Sequence, residues 1–244
     1  MHSTVRIRVA TTLLVAVLIV SCSTQESKPT LVAAPIDLEV GEGFDNPLGY
    51  YESTPRFSWK LAPTADYSFQ SAYQVQVASS PEDLESGSNL WDSQKVVAGN
   101  TNWIRYRGKG LSSRQQVYWR VRVWDEDDRA SGWSDTQIFE LGLLVNADWK
   151  GRWIGHADTA PNTQPPKQVL ATPQYFRKSF VISGDVQHAR LYITAKGLFR
   201  PFINGAPVAE SDVMTPGWTP YRKRIETLTY DVSQQLNSGD NTIA

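Results

Sequence analysis

At 244 residues the chain is long enough for one or two domains, and its formal charge of -1 gives no electrostatic ground for binding nucleic acid. Nine Trp, ten Tyr and eight Phe stand beside two Met, while Gly and Pro recur throughout, a composition suited to short strands joined by tight turns. A single cysteine excludes a disulfide within the chain, so each domain must be held by its own core.

Residues 1–22 read as an export signal. Arg6 and Arg8 precede an apolar run from Val9 to Val20, followed by Ser21 and Cys22. The run falls short of the about 20 apolar residues that a membrane-spanning helix needs. The stretch "IVSC" resembles a bacterial lipobox, which implies cleavage before Cys22 and acylation of its thiol. Cys22 would then be the lipid attachment site of an exported lipoprotein of a bacterial cell envelope. The other reading is an ordinary secretory signal ending in cysteine. Residues 23–34 lack periodicity and suit a tether.

Residues 35–142 carry strand signals at sandwich spacing. "PRFSWKL" puts Phe57, Trp59 and Leu61 on one face, and "SAYQVQVASS" puts Tyr73, Val75 and Val77 opposite Gln74 and Gln76, so each reads as a half-buried strand. In "QVYWRVRVWDEDD", Val117, Trp119, Val121 and Val123 alternate with Tyr118, Arg120, Arg122 and Trp124. "DEDDRASG" supplies the turn into "WSDTQIFEL", which predicts a hairpin. The whole segment resembles a fibronectin type III domain, an immunoglobulin-like sandwich.

The acidic run Asp125 to Asp128 has oxygen donors of the kind calcium takes, but such a run in a hairpin loop is also an ordinary solvated turn. Calcium is therefore left without assigned ligands, and no cofactor is required. Arg120 and Arg122 between Trp124 and Trp133 suit a structural cation–π ladder. Trp91 in "LWDSQKV" reads as a packing residue.

Residues 143–172 form a linker, with Trp149 and Trp153 placed to anchor a new domain or to wedge between two, and with Pro165 and Pro166 in a loop. Residues 173–244 offer strands in "YFRKSFVI", "HARLYITAKGLFRPFING" and "RIETLTYDVSQQL", with Gly197 at a bend and Asn204-Gly205 as a tight turn. This unit reads as a jelly-roll-like β-sandwich. The fold class is thus all-β, with two tandem β-sandwiches after a signal peptide.

"LWDSQKV", "YWRVRVWD", "GWSD", "DWKGRWIG", "PGWTPYRKR", "TYDV" and "GDNTIA" occur in an order that resembles the N-terminal region of bacterial α-L-rhamnosidases. The resemblance covers nearly all of the chain after the signal. It implies an inverting glycosidase, with one carboxylic acid protonating the leaving oxygen and a second carboxylate activating water. In that family both groups lie in an (α/α)-barrel domain downstream of these β domains. No such domain is recognisable in these 244 residues, and the chain stops at "NTIA", where the family's strand continues. The last sandwich is therefore expected to lack pairing on its C-terminal side, in either a fragment of a longer product or a natural truncation.

No catalytic residue is assigned. Nothing in the spacing of Glu210, Asp212, Glu226 and Asp231 defines an inverting pair. His2 lies in the signal, and His156 and His188 have no partner at metal-ligand spacing. Sugar binding has better support: "NGAPVAESDVMTPGWTPYRKR" supplies aromatic faces and hydrogen-bonding groups, with Asn204, Trp218, Tyr221 and Arg224 as candidates for contact with a rhamnose-containing glycan. The alternative places Trp218 and Tyr221 in the core beside a Pro216-Gly217 turn. Three roles follow: accessory part of a surface-anchored rhamnosidase, self-sufficient carbohydrate-binding lipoprotein, or structural adhesion module.

Overall fold

A computed structural model of the chain describes residues 32–63, 69–155 and 173–244. The signal with Cys22, most of the tether, and the Pro165-Pro166 loop with His156 lie outside the described residues. All of these described residues fall within one compact unit, Leu31–Ala244.

The first sandwich contains, in chain order, β1 (Ile36–Val40), β2 (Leu48–Tyr50), β3 (Arg56–Lys60), β4 (Ala72–Ala78), a short helix α1 (Pro81–Glu85), β5 (Trp91–Asp92), β6 (Val96–Val97), β7 (Ile104–Arg105), β8 (Gln116–Trp124) and β9 (Gln137–Leu141). One sheet has the order β1-β3-β7, and the other β2-β9-β8-β4-β5, with β6 also on β4. Alternation explains how they meet. Leu38, Val40, Phe57 and Trp59 from the first sheet share one core with Val75, Val77, Val117, Trp119, Val121, Val123 and Phe139 from the second. Phe57 and Trp119 lie at its centre, with ring centroids 4.4 Å apart.

The predicted hairpin is present as the antiparallel pair of β8 and β9, with Val117 opposite Phe139. Beyond that ladder the returning chain departs from regular pairing. Ser131 and Ser134 Oγ accept the N–H groups of Val123 and Val121 at 3.0 and 3.1 Å, replacing ladder carbonyls that the irregular segment does not present.

The prediction that β4 is half-buried needs correction, because all seven of its residues are buried. β4 is an inner strand of its sheet, and its polar face is covered by side chains from β8 and the following loop. Gln76 Oε1 accepts from Arg120 Nε at 3.1 Å, and Gln74 Oε1 accepts from Arg122 Nε at 2.9 Å. Both glutamine amides donate to Asp92, at 2.7 and 3.0 Å. The two guanidinium groups then lie 4.6 and 4.7 Å from the Trp133 ring centroid, and Arg122 lies 4.9 Å from that of Trp124. The cation–π ladder is thus present and roofs the outer face.

α1 is the one helical element of the first sandwich among the described residues. Ser80 caps it by accepting from Asp83 N, a proline opens its first turn, and Arg120 donates at 2.8 Å to the Leu84 carbonyl at its other end. Trp91 packs as expected, stacked on Phe57 and edge-on to Tyr106.

The second unit contains β10 (Lys178–Ile182), β11 (Arg190–Ile193), β12 (Phe202–Ile203), β13 (Ala206–Pro207), β14 (Leu228–Asp231) and β15 (Gly239–Ile243). Its sheets have the orders β10-β15-β12-β13 and β11-β14. Asn204 and Gly205 make the β12–β13 turn with φ of 50° and 84°, the left-handed backbone that their types tolerate. β15 pairs with both β10 and β12. Pro201, Ile203 and Val232 are the unit's buried apolar residues among those described, so its core is far smaller than that of the first sandwich.

Polar contacts and one close backbone approach join the two sandwiches. Arg190 of β11 donates to both carboxylate oxygens of Glu140 in β9, at 2.9, 3.1 and 2.8 Å, and also pairs with Asp231 of β14 at 2.9 Å. Arg114 lies 5.5 Å from the Tyr192 ring centroid. Gly49 in β2 sits against Thr229 in β14 so closely that a Cβ there would lie 2.4 Å from Thr229 Oγ1. Trp149 is half-buried, whereas Trp153 is 62 % exposed with Lys196 Nζ 5.5 Å from its ring centroid.

Candidate functional site

The segment between β13 and β14 carries three of the four sugar-binding candidates. Its path is set by local hydrogen bonds. Thr215 Oγ1 donates to the Phe199 carbonyl at 2.9 Å, and Phe199 N donates back to the Thr215 carbonyl at 2.9 Å. The Thr215-Pro216 peptide is cis, and Gly217 follows at φ 91°. Thr219 turns inward, 4 % exposed, with Oγ1 donating to the Arg224 carbonyl at 2.8 Å.

Because Thr219 takes the inward position, Trp218 is turned out and is 89 % exposed. The alternative that places Trp218 in the core is therefore not what the fold adopts. Tyr221 is 37 % exposed, and its hydroxyl accepts from Gly197 N at 2.8 Å, pinning the segment to the bend at Gly197. Arg224 is a surface side chain paired with Glu226 at 3.0 Å. Val213 and Met214 are also exposed beside this segment. An outward indole can stack on an apolar sugar face, and a surface guanidinium can donate to hydroxyls.

Asn204 has a different setting. Its Nδ2 donates to Gln235 O and Asn241 Oδ1, both at 2.9 Å, and its Oδ1 accepts from Thr242 N at 2.8 Å. These bonds tie the β12–β13 turn to β15, so the side chain has a structural task whether or not a sugar approaches.

The nearby carboxylates are engaged as well. Asp212 accepts from the Tyr230 hydroxyl, and burial followed by that carboxylate raises the phenol well above its ordinary value. Ser233, through its hydroxyl and N–H, and Arg190 hold the Asp231 carboxyl below its ordinary value against the effect of burial. A general acid needs the opposite shift. Asp125 is wholly buried. Burial pushes its carboxyl up, but hydrogen bonds from Arg129 and Asp127 N and the Arg129 charge bring it below the ordinary value. Its oxygens are thus occupied by donors rather than turned toward a shared cation. Among the described residues no group of three or more His, Cys, Asp and Glu is placed to hold a metal ion.

The fold therefore defines an immunoglobulin-like sandwich joined to a second, smaller β unit with an exposed aromatic loop. Residues 35–145 match the family described as Rha78A-like, N-terminal immunoglobulin domain, and residues 184–244 match the Alpha-L-rhamnosidase N-terminal domain. The chain is 49 % identical over 235 residues to an α-L-rhamnosidase of Alteromonas sp. (strain LOR), a match covering 94 % of this chain and 25 % of that protein. An α-L-rhamnosidase of Formosa agariphila is 52 % identical over 207 residues, covering 84 % of this chain and 22 % of that protein. The solved structure of the α-L-rhamnosidase from Dictyoglumus thermophilum is similar with a TM-score of 0.76 and 35 % identity, over 88 % of this chain and 25 % of that one. The chain belongs with the α-L-rhamnosidases and corresponds to their N-terminal, non-catalytic part. It spans about a quarter of the length of these relatives.

Proposed function

We propose that the chain serves as the accessory N-terminal region of an exported glycosidase that removes terminal α-L-rhamnose from glycosides or polysaccharides. The observation that carries this reading is the succession of two matched domains, in the same order as in relatives about half identical over most of the chain. Hydrolysis itself is assigned to a downstream catalytic domain. Cys22 carries the lipid that holds the protein to a bacterial cell envelope. Trp218 is the proposed contact for a rhamnose-containing glycan, with Tyr221, Arg224 and Asn204 as the further candidates.

The exposure of Trp218 favours a second reading, a carbohydrate-binding lipoprotein that acts without a catalytic domain. Reading the coding DNA past Ala244 separates the two. A continuous frame into a helical domain supports the accessory role, and a stop codon directly after Ala244 removes it. Radiolabelled palmitate incorporated by the native protein and lost in Cys22→Ser is the expected result for the anchor.

A further inference from the structure

A groove of about 310 Å³ lies on the outer side of the β1-β3-β7 sheet, away from the candidates around Trp218 in sequence and fold. Its polar lining follows from alternation: Asp37, Glu39, Ser58 and Lys60 occupy the positions between the buried Leu38, Val40, Phe57 and Trp59. A register shift between Ile36 and Glu39 brings Asp37 to Lys60, 3.1 Å away. Glu42 is oriented by the Tyr51 hydroxyl, which donates to it at 2.6 Å.

Trp103 borders this groove. Its φ is 59°, a backbone conformation that disfavours a bulky side chain. Burial offers little compensation, since the residue is 48 % exposed. Two contacts hold it there, and an ion pair steadies the second. Its N–H donates to Ser58 Oγ at 3.2 Å, the Arg56 guanidinium lies 4.7 Å from its ring centroid, and Glu52 pairs with Arg56 at 3.3 Å. The result is an indole presented beside three carboxylates and one ammonium group.

We infer that this groove is a second glycan-binding site, taking one neutral sugar unit of the rhamnose-containing substrate. The indole supplies a face for the apolar side of a pyranose, and Asp37, Glu39 and Glu42 accept from its hydroxyls. The surplus of carboxylate over ammonium disfavours uronate or sulfated units. The volume is at the small end of ligand sites, enough for a monosaccharide unit rather than a long chain. The choice of sugar rests on the rhamnosidase reading, while the groove does not.

The test is a titration of the chain with methyl α-L-rhamnoside, a neutral rhamnose-terminated disaccharide and the same disaccharide bearing a galacturonate, followed by tryptophan fluorescence and by NMR of the indole N–H groups. Expected is saturable binding of the neutral sugars with the Trp103 resonance shifting, and at least tenfold weaker binding of the uronate. Trp103→Gly is expected to weaken the neutral sugar at least tenfold while the Tm stays the same or rises, because glycine relieves the positive φ. A structural tryptophan would instead lower the Tm on removal. Glu42→Gln is expected to keep the Tm and narrow the gap between neutral and uronate ligands. Absence of neutral-sugar binding, unchanged affinity in Trp103→Gly, or loss confined to Trp218→Ala would each overturn the assignment. Inactivity of a longer gene product on rhamnosides, with Trp103-dependent binding intact, would overturn the enzyme reading and leave the groove standing.

Discussion

Arg190 stands 50 residues beyond Glu140, yet it forms the most enclosed ion pair between the two sandwiches, with side-chain exposures of 15 % and 9 %. Removing one partner of such a pair leaves the other charge with poor solvation, which costs far more than loss of a surface pair. Glu140→Ala is therefore expected to destabilise the protein by about 3 kcal/mol in urea unfolding. Adding Arg190→Ala should recover only a small part of that loss, since the guanidinium left in Glu140→Ala still pairs with Asp231 at 2.9 Å and its removal ends that pair as well. Asp125 and Asp231 set the acid response. Both have folded values below the ordinary 3.8, so their contribution is complete above about that pH and is lost as the pH falls through the lower folded values. The Tm is expected to drop as the pH falls below about 3.8, and Asp125→Asn, already less stable at pH 7, should show a flatter acid limb.

At the scale of elements, the roof over β4 makes the firmest prediction. Trp133→Ala removes the ring shared by Arg120 and Arg122 and is expected to cost about 1–2 kcal/mol, with the loss smaller in Trp133→Phe. The strands β3, β4, β8 and β9 were legible because period-two alternation is local, as in "QVYWRVRVW" and "PRFSWKL", whereas β1, β2 and the short β5 to β7 were not read as strands. The ladder was legible too, since Arg120 and Arg122 share a face by that same period. Burial of Gln74 and Gln76 was not. Their partners come from Asp92 and β8, and no local pattern distinguishes a solvated glutamine from one covered by a distant arginine. α1 carried a signal in "SPEDLE", a capping serine followed by proline and two acids, but its five residues are too few for helical periodicity to register.

For the molecule as a whole, the Glu140–Arg190 pair and the approach of Gly49 to Thr229 predict that the two sandwiches unfold together. A single calorimetric transition is expected, splitting into two in Gly49→Ala, where a Cβ 2.4 Å from Thr229 Oγ1 and a φ of 83° both oppose the native junction. None of that junction was readable in sequence, because it joins residues far apart in the chain through polar side chains that look like ordinary surface. The aromatic loop was readable as a candidate, but not the direction of Trp218, which depends on Thr219 taking the inward place. Trp103 offered no signal, being one of nine tryptophans and outside any alternating run. Its presentation comes from Ser58 and Arg56 on a neighbouring strand. The most direct measurement is hydrolysis of an aryl α-L-rhamnoside by the 244-residue chain beside the full product of its gene. Turnover by the full product alone is predicted; turnover by the 244-residue chain, or by neither protein when both are folded, would contradict the account.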